Sequence, residues 1–185
     1  MPALIDRWRA EHVHFSMLLD VLQQQIDEFH SGGAVNLGAM RDIVSYLCEF
    51  ADLAHHPRED AAFARLVARD PTLQLSVNRL LQEHRVIAAA GEELMMRLDE
   101  AIVGAVVSRS SIEAPAALYV AYYRHHLAIE EREILPRAVR LLTAEDWNAV
   151  ESAATEGTDP MFDGGNEGPY PELRLLLASR TSPAD

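Results

Sequence analysis

Two copies of one short motif pair a histidine with a glutamate four residues later. His55 and Glu59 form the first copy, and His126 and Glu130 form the second. On a helix these positions lie one turn apart on the same face, so each copy presents an imidazole and a carboxylate in the same direction. Because imidazole nitrogens and carboxylate oxygens both bind metal ions, the repeated motif indicates a metal site.

Two further histidines, His12 and His84, lie where the surrounding apolar residues predict a buried helix face. A single buried histidine is usually satisfied by one hydrogen bond, and any one of these four taken alone would be interpreted that way. Together they can converge at one depth between four helices, where an uncoordinated cluster would be poorly satisfied. We therefore predict six metal ligands: His12, His55, Glu59, His84, His126 and Glu130.

The two glutamates indicate how the ligands are shared. An ionised carboxylate in an apolar core is costly unless it is paired or bound to a cation, and the pattern offers no inward lysine or arginine. Four imidazoles and two bridging carboxylates give about four protein bonds to each of two ions, and an oxo or hydroxo bridge adds a fifth. This donor set suits two non-haem iron ions, with zinc and manganese as alternatives.

Four long stretches with apolar residues at three- and four-residue spacing must position these ligands. They cover about residues 3–30, 37–69, 73–106 and 111–141. Period-two alternation is missing, so the pattern predicts an all-helical chain. Short loops between long amphipathic helices favour an antiparallel up-down-up-down four-helix bundle. Pro57, between two candidate ligands, removes a helical hydrogen bond and predicts a kink.

The remaining residues extend this bundle. Thr143 and Asp146 resemble a capping box that opens a short fifth helix. Residues 156–172 are rich in Gly, Pro and acidic residues and are typical of a loop. We therefore predict a bundle over residues 1–142, and a short helix with a C-terminal tail, packed on the bundle, over residues 143–185.

The composition bounds the remaining possibilities. With 49% hydrophobic and 24% charged residues among 185, the chain is expected to form one globular domain. A net charge of -13 without clustered Lys or Arg argues against binding to nucleic acid or to an anionic membrane. The single cysteine, Cys48, excludes an internal disulfide framework. Neither a signal-peptide pattern nor an apolar run of about 18 residues occurs, so we expect a cytoplasmic protein.

In the order of these residues the sequence resembles the hemerythrin family, specifically its bacterial branch of HHE cation-binding domains. The resemblance spans about residues 8–141 and rests on Glu11-His12, HHPRE at 55–59, Glu83-His84 and HHLAIEE at 125–131. It implies a four-helix bundle with a non-haem di-iron centre. In that centre Glu59 and Glu130 would bridge the ions, and the four histidines would be terminal ligands.

The sequence departs from this family at one position. Oxygen-carrying hemerythrins have a second third-helix histidine four residues after the first, and here that position is Ala88. The resemblance therefore implies that one ion lacks a ligand, which solvent, an exogenous ligand or Tyr122 could supply. Tyr122 lies one turn before His126 on the same face, although packing in the core is the simpler role for it.

Other residues near the motifs are not predicted to be ligands. By their angular positions His14, His56 and His125 are interpreted as surface groups or outer partners of the site. A rotated fourth helix would let Glu131 replace Glu130, but the repeated spacing favours Glu130.

The expected function is to bind oxygen or nitric oxide at the iron pair, for sensing, buffering or delivery. The main alternative is a di-iron redox enzyme that reduces peroxide or oxidises iron, although the Glu-x-x-His motifs of ferritin-like proteins are not found. Iron-stress repair and a metal-free interaction domain are further alternatives, the latter disfavoured by two unpaired core carboxylates. The expected partner is thus a diatomic molecule or peroxide.

Overall fold

The computed structural model describes residues 2–153 and 169–181, and every regular element within them is helical. This confirms the all-helical prediction. The helices are α1 Pro2–His30, α2 Leu37–Tyr46, α3 His56–Arg69, α4 Gln74–Ile102, α5 Arg109–Ile129, α6 Leu135–Leu141, α7 Ala144–Glu151 and α8 Pro171–Thr181. Most of the loop predicted at residues 156–172 lies outside the described residues.

Two π-helical segments join these helices into longer units. Leu47–His55 connects α2 to α3, and Glu130–Ile134 connects α5 to α6. The structure therefore has four long units, which we name segment 1 (residues 2–30), segment 2 (37–69), segment 3 (74–102) and segment 4 (109–141). They lie where the apolar spacing predicts four long helices.

Local signals explain where some of the helices begin and end. Gly32, just after α1, has a φ of 78°, a left-handed conformation that glycine adopts without strain. Asn36 caps α2, since its side chain accepts a hydrogen bond from the Ala39 amide. Thr143 and Asp146 form the predicted capping box at the start of α7.

Each π-helical segment is followed closely by a proline. At the end of the first one, the His56 amide donates to the carbonyl five residues earlier, and Pro57 then has no amide hydrogen to donate. The second ends with the Leu135 amide bonded to the Glu130 carbonyl, and Pro136 comes next. A π-helical segment, a common cause of helix kinks, thus precedes the position where Pro57 predicts a kink.

Two apolar clusters flank the predicted ligands along every segment. The first cluster includes Phe15, Ala51, Ile87 and Tyr123. The second includes Trp8, Ala62, Leu80 and Ile134. Segments 1 and 3 run from the second cluster to the first, whereas segments 2 and 4 run from the first to the second. The ligands therefore lie between the clusters, within the apolar interior.

The helices contact one another around this interior. Helix α1 contacts α2 and α5, and α4 contacts α2, α3 and α5. The shorter helices lie against segment 2, with α7 on α3 and α8 on α2. Within the described residues, no helix has an apolar stretch long enough to cross a membrane.

Candidate metal centre

All six predicted ligands are buried and lie together. With one further histidine, their ligand atoms form two groups, and within each group all the atoms lie within 4.8 Å of one another. Group A consists of His12, His55, Glu59 and Glu130, and group B consists of His56, Glu59, His84 and His126. Glu59 belongs to both groups, so the two groups are adjacent.

Group A brings together the histidines of segments 1 and 2. Nε2 of His55 lies 3.1 Å from Nε2 of His12 and 2.7 Å from Oε1 of Glu59. Oε2 of Glu130 lies 3.4 Å from Nε2 of His12. The Nε2 atom of His12 therefore faces both carboxylates, and the Nε2 atom of His55 faces Glu59.

Group B repeats the arrangement with the histidines of segments 3 and 4. Nε2 of His84 lies 3.1 Å from Nε2 of His126 and 3.3 Å from Oε2 of Glu59. Oε2 of Glu130 lies 3.4 Å from Nε2 of His126, as far as it lies from His12. The two oxygens of Glu59 thus face different groups, and Glu130 lies between them.

Glu130 has the least satisfied carboxylate of the site. Its side chain is fully buried, and neither oxygen has a hydrogen-bond partner within residues 2–153 and 169–181. Burial raises the pKa of Glu130 well above its usual value, and the Glu59 carboxylate raises it further. A buried carboxylate that lacks a donor and faces two imidazole nitrogens is the arrangement that a bound cation satisfies.

The pKa of Glu59 is shifted in the opposite direction. Burial alone would raise its pKa, but the charge of His55 and hydrogen bonds from the surrounding histidines outweigh burial and lower the pKa well below its usual value. The pKa values of Glu59 and Glu130 are therefore shifted in opposite directions.

The structure corrects the position of His56. Regular α-helical spacing places this residue off the inward face, as a surface group or an outer partner. Its side chain is instead buried, with 5% exposed, and its ring stacks on that of His84 with centroids 4.1 Å apart. The π-helical segment before it holds one extra residue in a turn, which allows His55 and His56 to face the interior together.

The other residues set aside in the sequence take outer positions. His125 is exposed, and His14 is half-buried with its ring against Tyr46. Glu131 does not take the place of Glu130, since its side chain is 39% exposed. The structure places Tyr122 on the surface rather than in the core: it is 38% exposed and lines a groove between α4 and α5.

Each of the four predicted histidine ligands has a carboxylate beside its outer nitrogen, Nδ1. The pairs are His12 with Glu131 at 2.9 Å, His55 with Glu11 at 2.6 Å, His84 with Asp60 at 3.0 Å and His126 with Glu83 at 3.4 Å. In the first three pairs the carboxylate can accept the Nδ1 proton, which leaves the lone pair of Nε2 directed inward, as metal-binding histidines require. In the fourth pair neither Nδ1 of His126 nor Oε2 of Glu83 makes a hydrogen bond within residues 2–153 and 169–181, so Glu83 is a longer electrostatic contact. Spacing along the sequence does not reveal these partners.

The same carboxylates change how two of the histidines titrate. Burial would lower the pKa of His84, but hydrogen bonds to Asp60 and Glu59 outweigh it and raise the pKa to about 9. For His12 burial again opposes the change, and Glu131 and Glu59 raise the pKa above its usual value. At neutral pH a proton on the His84 ring therefore supplies positive charge near the carboxylates.

Trp8 closes group A at one side. Its indole N–H lies 2.8 Å from Oε1 of Glu59 and 3.0 Å from Nε2 of His12, and the side chain is buried. Both acceptor residues belong to group A, which can hold a cation. Trp8 is therefore in direct contact with the site. The sequence pattern shows only that this tryptophan belongs to the core.

Comparison with known proteins agrees with this geometry. No curated protein matches the chain. The family model for the hemerythrin HHE cation binding domain matches residues 3–138, a range that contains all the residues of groups A and B. Members of this family bind metal cations, and the two groups are donor sets that can hold them. The chain therefore belongs to the hemerythrin HHE cation-binding family.

Proposed function

We propose that this protein binds two metal ions, one in each of groups A and B, and that the ions are non-haem iron. The observation that carries the proposal is the pair of adjacent, buried donor groups that share Glu59 and face the unsatisfied carboxylate of Glu130. Imidazole and carboxylate ligands together suit iron, and an open position on such an ion allows a small molecule to bind. Zinc and manganese are the metals that analysis must exclude.

His56 completes the proposed ligand set. The ion in group A would be held by His12 and His55, and the ion in group B by His56, His84 and His126, with Glu59 and Glu130 shared. His56 would thus supply the imidazole that is missing at Ala88. Its burial and its face-to-face contact with His84 support this role, because both rings then approach the ion from the same side of the site.

The helical arrangement that we propose is an antiparallel up-down-up-down four-helix bundle. The alternating order of the two apolar clusters along segments 1 to 4 supports it, as do the contacts of α1 with α2 and α5. We assign residues 1–142 to the bundle, and residues 143–185 to the short helix α7 and a C-terminal tail that includes α8. Contacts of α7 with α3 and of α8 with α2 support this division.

The function that we propose is binding of oxygen or nitric oxide in the cytoplasm, for sensing, buffering or delivery. An iron pair supplies a redox-active site at which such diatomic molecules bind. The full burial of Glu59, His126 and Glu130 supports a small ligand, since a larger substrate would need a cleft that reaches these residues. Peroxide reduction and iron oxidation are the enzymatic alternatives that the experiment must separate.

The test is anaerobic loading with iron(II), followed by iron analysis and visible spectra before and after addition of oxygen, nitric oxide or peroxide. We expect two irons per chain and an absorption change that reverses when the gas is removed. The His126→Asn variant should lose iron, whereas His30→Asn, which changes an exposed histidine outside both groups, should not. Catalytic turnover of peroxide would show that the protein is an enzyme and would contradict the proposed gas binding. Absence of bound iron in the wild type would refute the proposed metal site.

A further inference from the structure

We propose that Glu11, Asp60, Glu83 and Glu131 are positioning residues that fix the four histidine ligands, and we name them the carboxylate ring. The inference rests on the proposed metal site. Each member contacts the Nδ1 atom of one histidine at 2.6 to 3.4 Å, while the Nε2 atom of that histidine points into group A or group B. No member of the ring belongs to either group of candidate ligands.

The ring connects the four segments in chain order. Glu11 of segment 1 contacts His55 of segment 2, and Asp60 of segment 2 contacts His84 of segment 3. Continuing round, Glu83 of segment 3 contacts His126 of segment 4, and Glu131 of segment 4 contacts His12 of segment 1. Every segment therefore orients the histidine of the next one, and the last segment orients that of the first.

This arrangement gives a role to residues beside the ligands in the sequence. Glu11 and Glu83 each precede a histidine ligand but contact the histidine of the following segment. Asp60 and Glu131 each follow an inner glutamate and again contact the histidine of the following segment. Both halves of the chain repeat this pattern: a candidate ligand and a carboxylate of the ring are adjacent in the sequence. Adjacent positions on a helix face about 100° apart, so one side chain can point into the site while the other points towards a neighbouring segment.

The physical effect of each contact is on the imidazole. A carboxylate that accepts the Nδ1 proton fixes the tautomer with a free lone pair on Nε2, holds the orientation of the ring and makes Nε2 a stronger donor to a metal. Three such contacts, from Glu11, Asp60 and Glu131, would preorganise three ligands before the ions bind, and Glu83 would favour the same orientation of His126 through its charge. Loss of one contact should weaken metal binding without loss of a ligand.

The four contacts differ in how firmly they are held. The Glu11 side chain is 11% exposed and accepts two hydrogen bonds from one guanidinium nitrogen of Arg58, which is itself buried. The Asp60 side chain is 50% exposed and that of Glu131 is 39% exposed. Because water competes for exposed carboxylates, we expect Glu11 to contribute more to metal affinity than Asp60 or Glu131.

The test measures metal affinity in four variants: Glu11→Gln, Asp60→Asn, Glu83→Gln and Glu131→Gln. These substitutions keep nearly the same shape and remove the charge. The matched control is Glu113→Gln, because Glu113 contacts Nδ1 of the exposed His30 at 3.1 Å, outside the groups A and B. Affinity for iron(II) and for cobalt(II) is measured by competition with a chelator, the cobalt absorption bands report coordination geometry, and the melting temperature of the metal-free protein reports folding.

We expect Glu11→Gln to bind metal about 10- to 100-fold more weakly, with altered cobalt bands. Asp60→Asn, Glu83→Gln and Glu131→Gln should show smaller losses with an unchanged metal-free melting temperature, and Glu113→Gln should show no loss of affinity. Glu11 is paired with the buried Arg58, so Glu11→Gln can also destabilise the fold. If the metal-free melting temperature of Glu11→Gln falls, the metal affinities of Glu83→Gln and Asp60→Asn decide whether the carboxylate ring positions the ligands.

Wild-type affinity in Glu83→Gln and Asp60→Asn would overturn the carboxylate ring while two ions still bind. If the wild-type protein binds no metal, the proposed function fails as well.

Discussion

His56 and His84 stack face to face, with ring centroids 4.1 Å apart and their planes 16° from parallel. They come from different segments, and both rings belong to group B. The contact exists because the π-helical segment Leu47–His55 allows two consecutive histidines to face the interior. Group B therefore contains three imidazoles, whereas group A contains two.

The first prediction concerns His56. The His56→Asn variant should bind one metal ion per chain instead of two, because group B loses an imidazole while group A keeps all its donors. Metal analysis after anaerobic loading measures this, with His14→Asn as the control at a half-buried histidine outside both groups. Two tightly bound ions in His56→Asn would show that this residue is not a ligand.

The second prediction concerns Glu130. In Glu130→Gln, metal binding should be lost, but the metal-free protein at pH 8 should be at least as stable as the wild type, since a buried carboxylate with a raised pKa becomes a neutral amide. Each kcal/mol gained would raise the melting temperature by roughly 2–4 °C. Thermal melts of metal-free protein test this, with Glu133→Gln as the control at a partly exposed position. A large fall in melting temperature would contradict it.

The third prediction concerns pH. The pKa of His84 is raised to about 9, so its contribution to stability is fully present below about pH 6.5 and is lost as the pH rises towards 9. The raised pKa of Glu130 acts in the same direction, because ionising this buried group destabilises the folded state. Urea unfolding of the metal-free protein should therefore show decreasing stability from pH 6.5 to pH 9. Increasing stability over that range would contradict these shifts.

The fourth prediction uses Trp8 as a reporter. Because its indole N–H contacts Glu59 and His12, iron or cobalt binding should quench its fluorescence in step with occupancy of group A. The only other tryptophan is Trp147, and Trp147→Phe isolates the signal of Trp8. Titration of this variant with cobalt(II) should give saturable quenching that a chelator reverses. Unchanged emission at full metal loading would place the ions elsewhere.

The fifth prediction tests the packing of the first apolar cluster. A Cβ atom at Gly91 would lie 2.6 Å from Sγ of Cys48 and 2.9 Å from Cε2 of Tyr119. Gly91→Ala should therefore destabilise the protein by roughly 1–3 kcal/mol, despite the better helix propensity of alanine. Chemical denaturation measures the loss, and Cys48→Ala in the same chain should restore part of it. A Gly91→Ala variant more stable than the wild type would contradict this packing.

The sequence predicts the inner carboxylates and four of the histidines because each lies on an apolar helix face with regular spacing. The two His-His pairs show where regular spacing predicts burial correctly and where it does not. At His125-His126 the helix is regular and only His126 is buried, as predicted. At His55-His56 the preceding π-helical segment brings both inward, and periodicity that assumes an α-helix cannot show this. Pro57 was the one local signal of the irregularity.

The role of the carboxylate ring cannot be predicted from the sequence, for a different reason. The contact between Glu11 and His55, or between Glu131 and His12, joins residues far apart in the chain. Such contacts depend on how neighbouring helices are rotated against each other. Glu11 lies beside His12 in the sequence, but its carboxylate contacts His55, which belongs to another segment.

The most direct test of two ions in groups A and B is a crystal structure of the iron-loaded protein with anomalous diffraction at the iron absorption edge. The proposal predicts two peaks, one beside Nε2 of His12 and His55, and one beside the rings of His56, His84 and His126, with Glu59 between them. A map with no peak there, or with iron only on the surface, would contradict the proposed metal site.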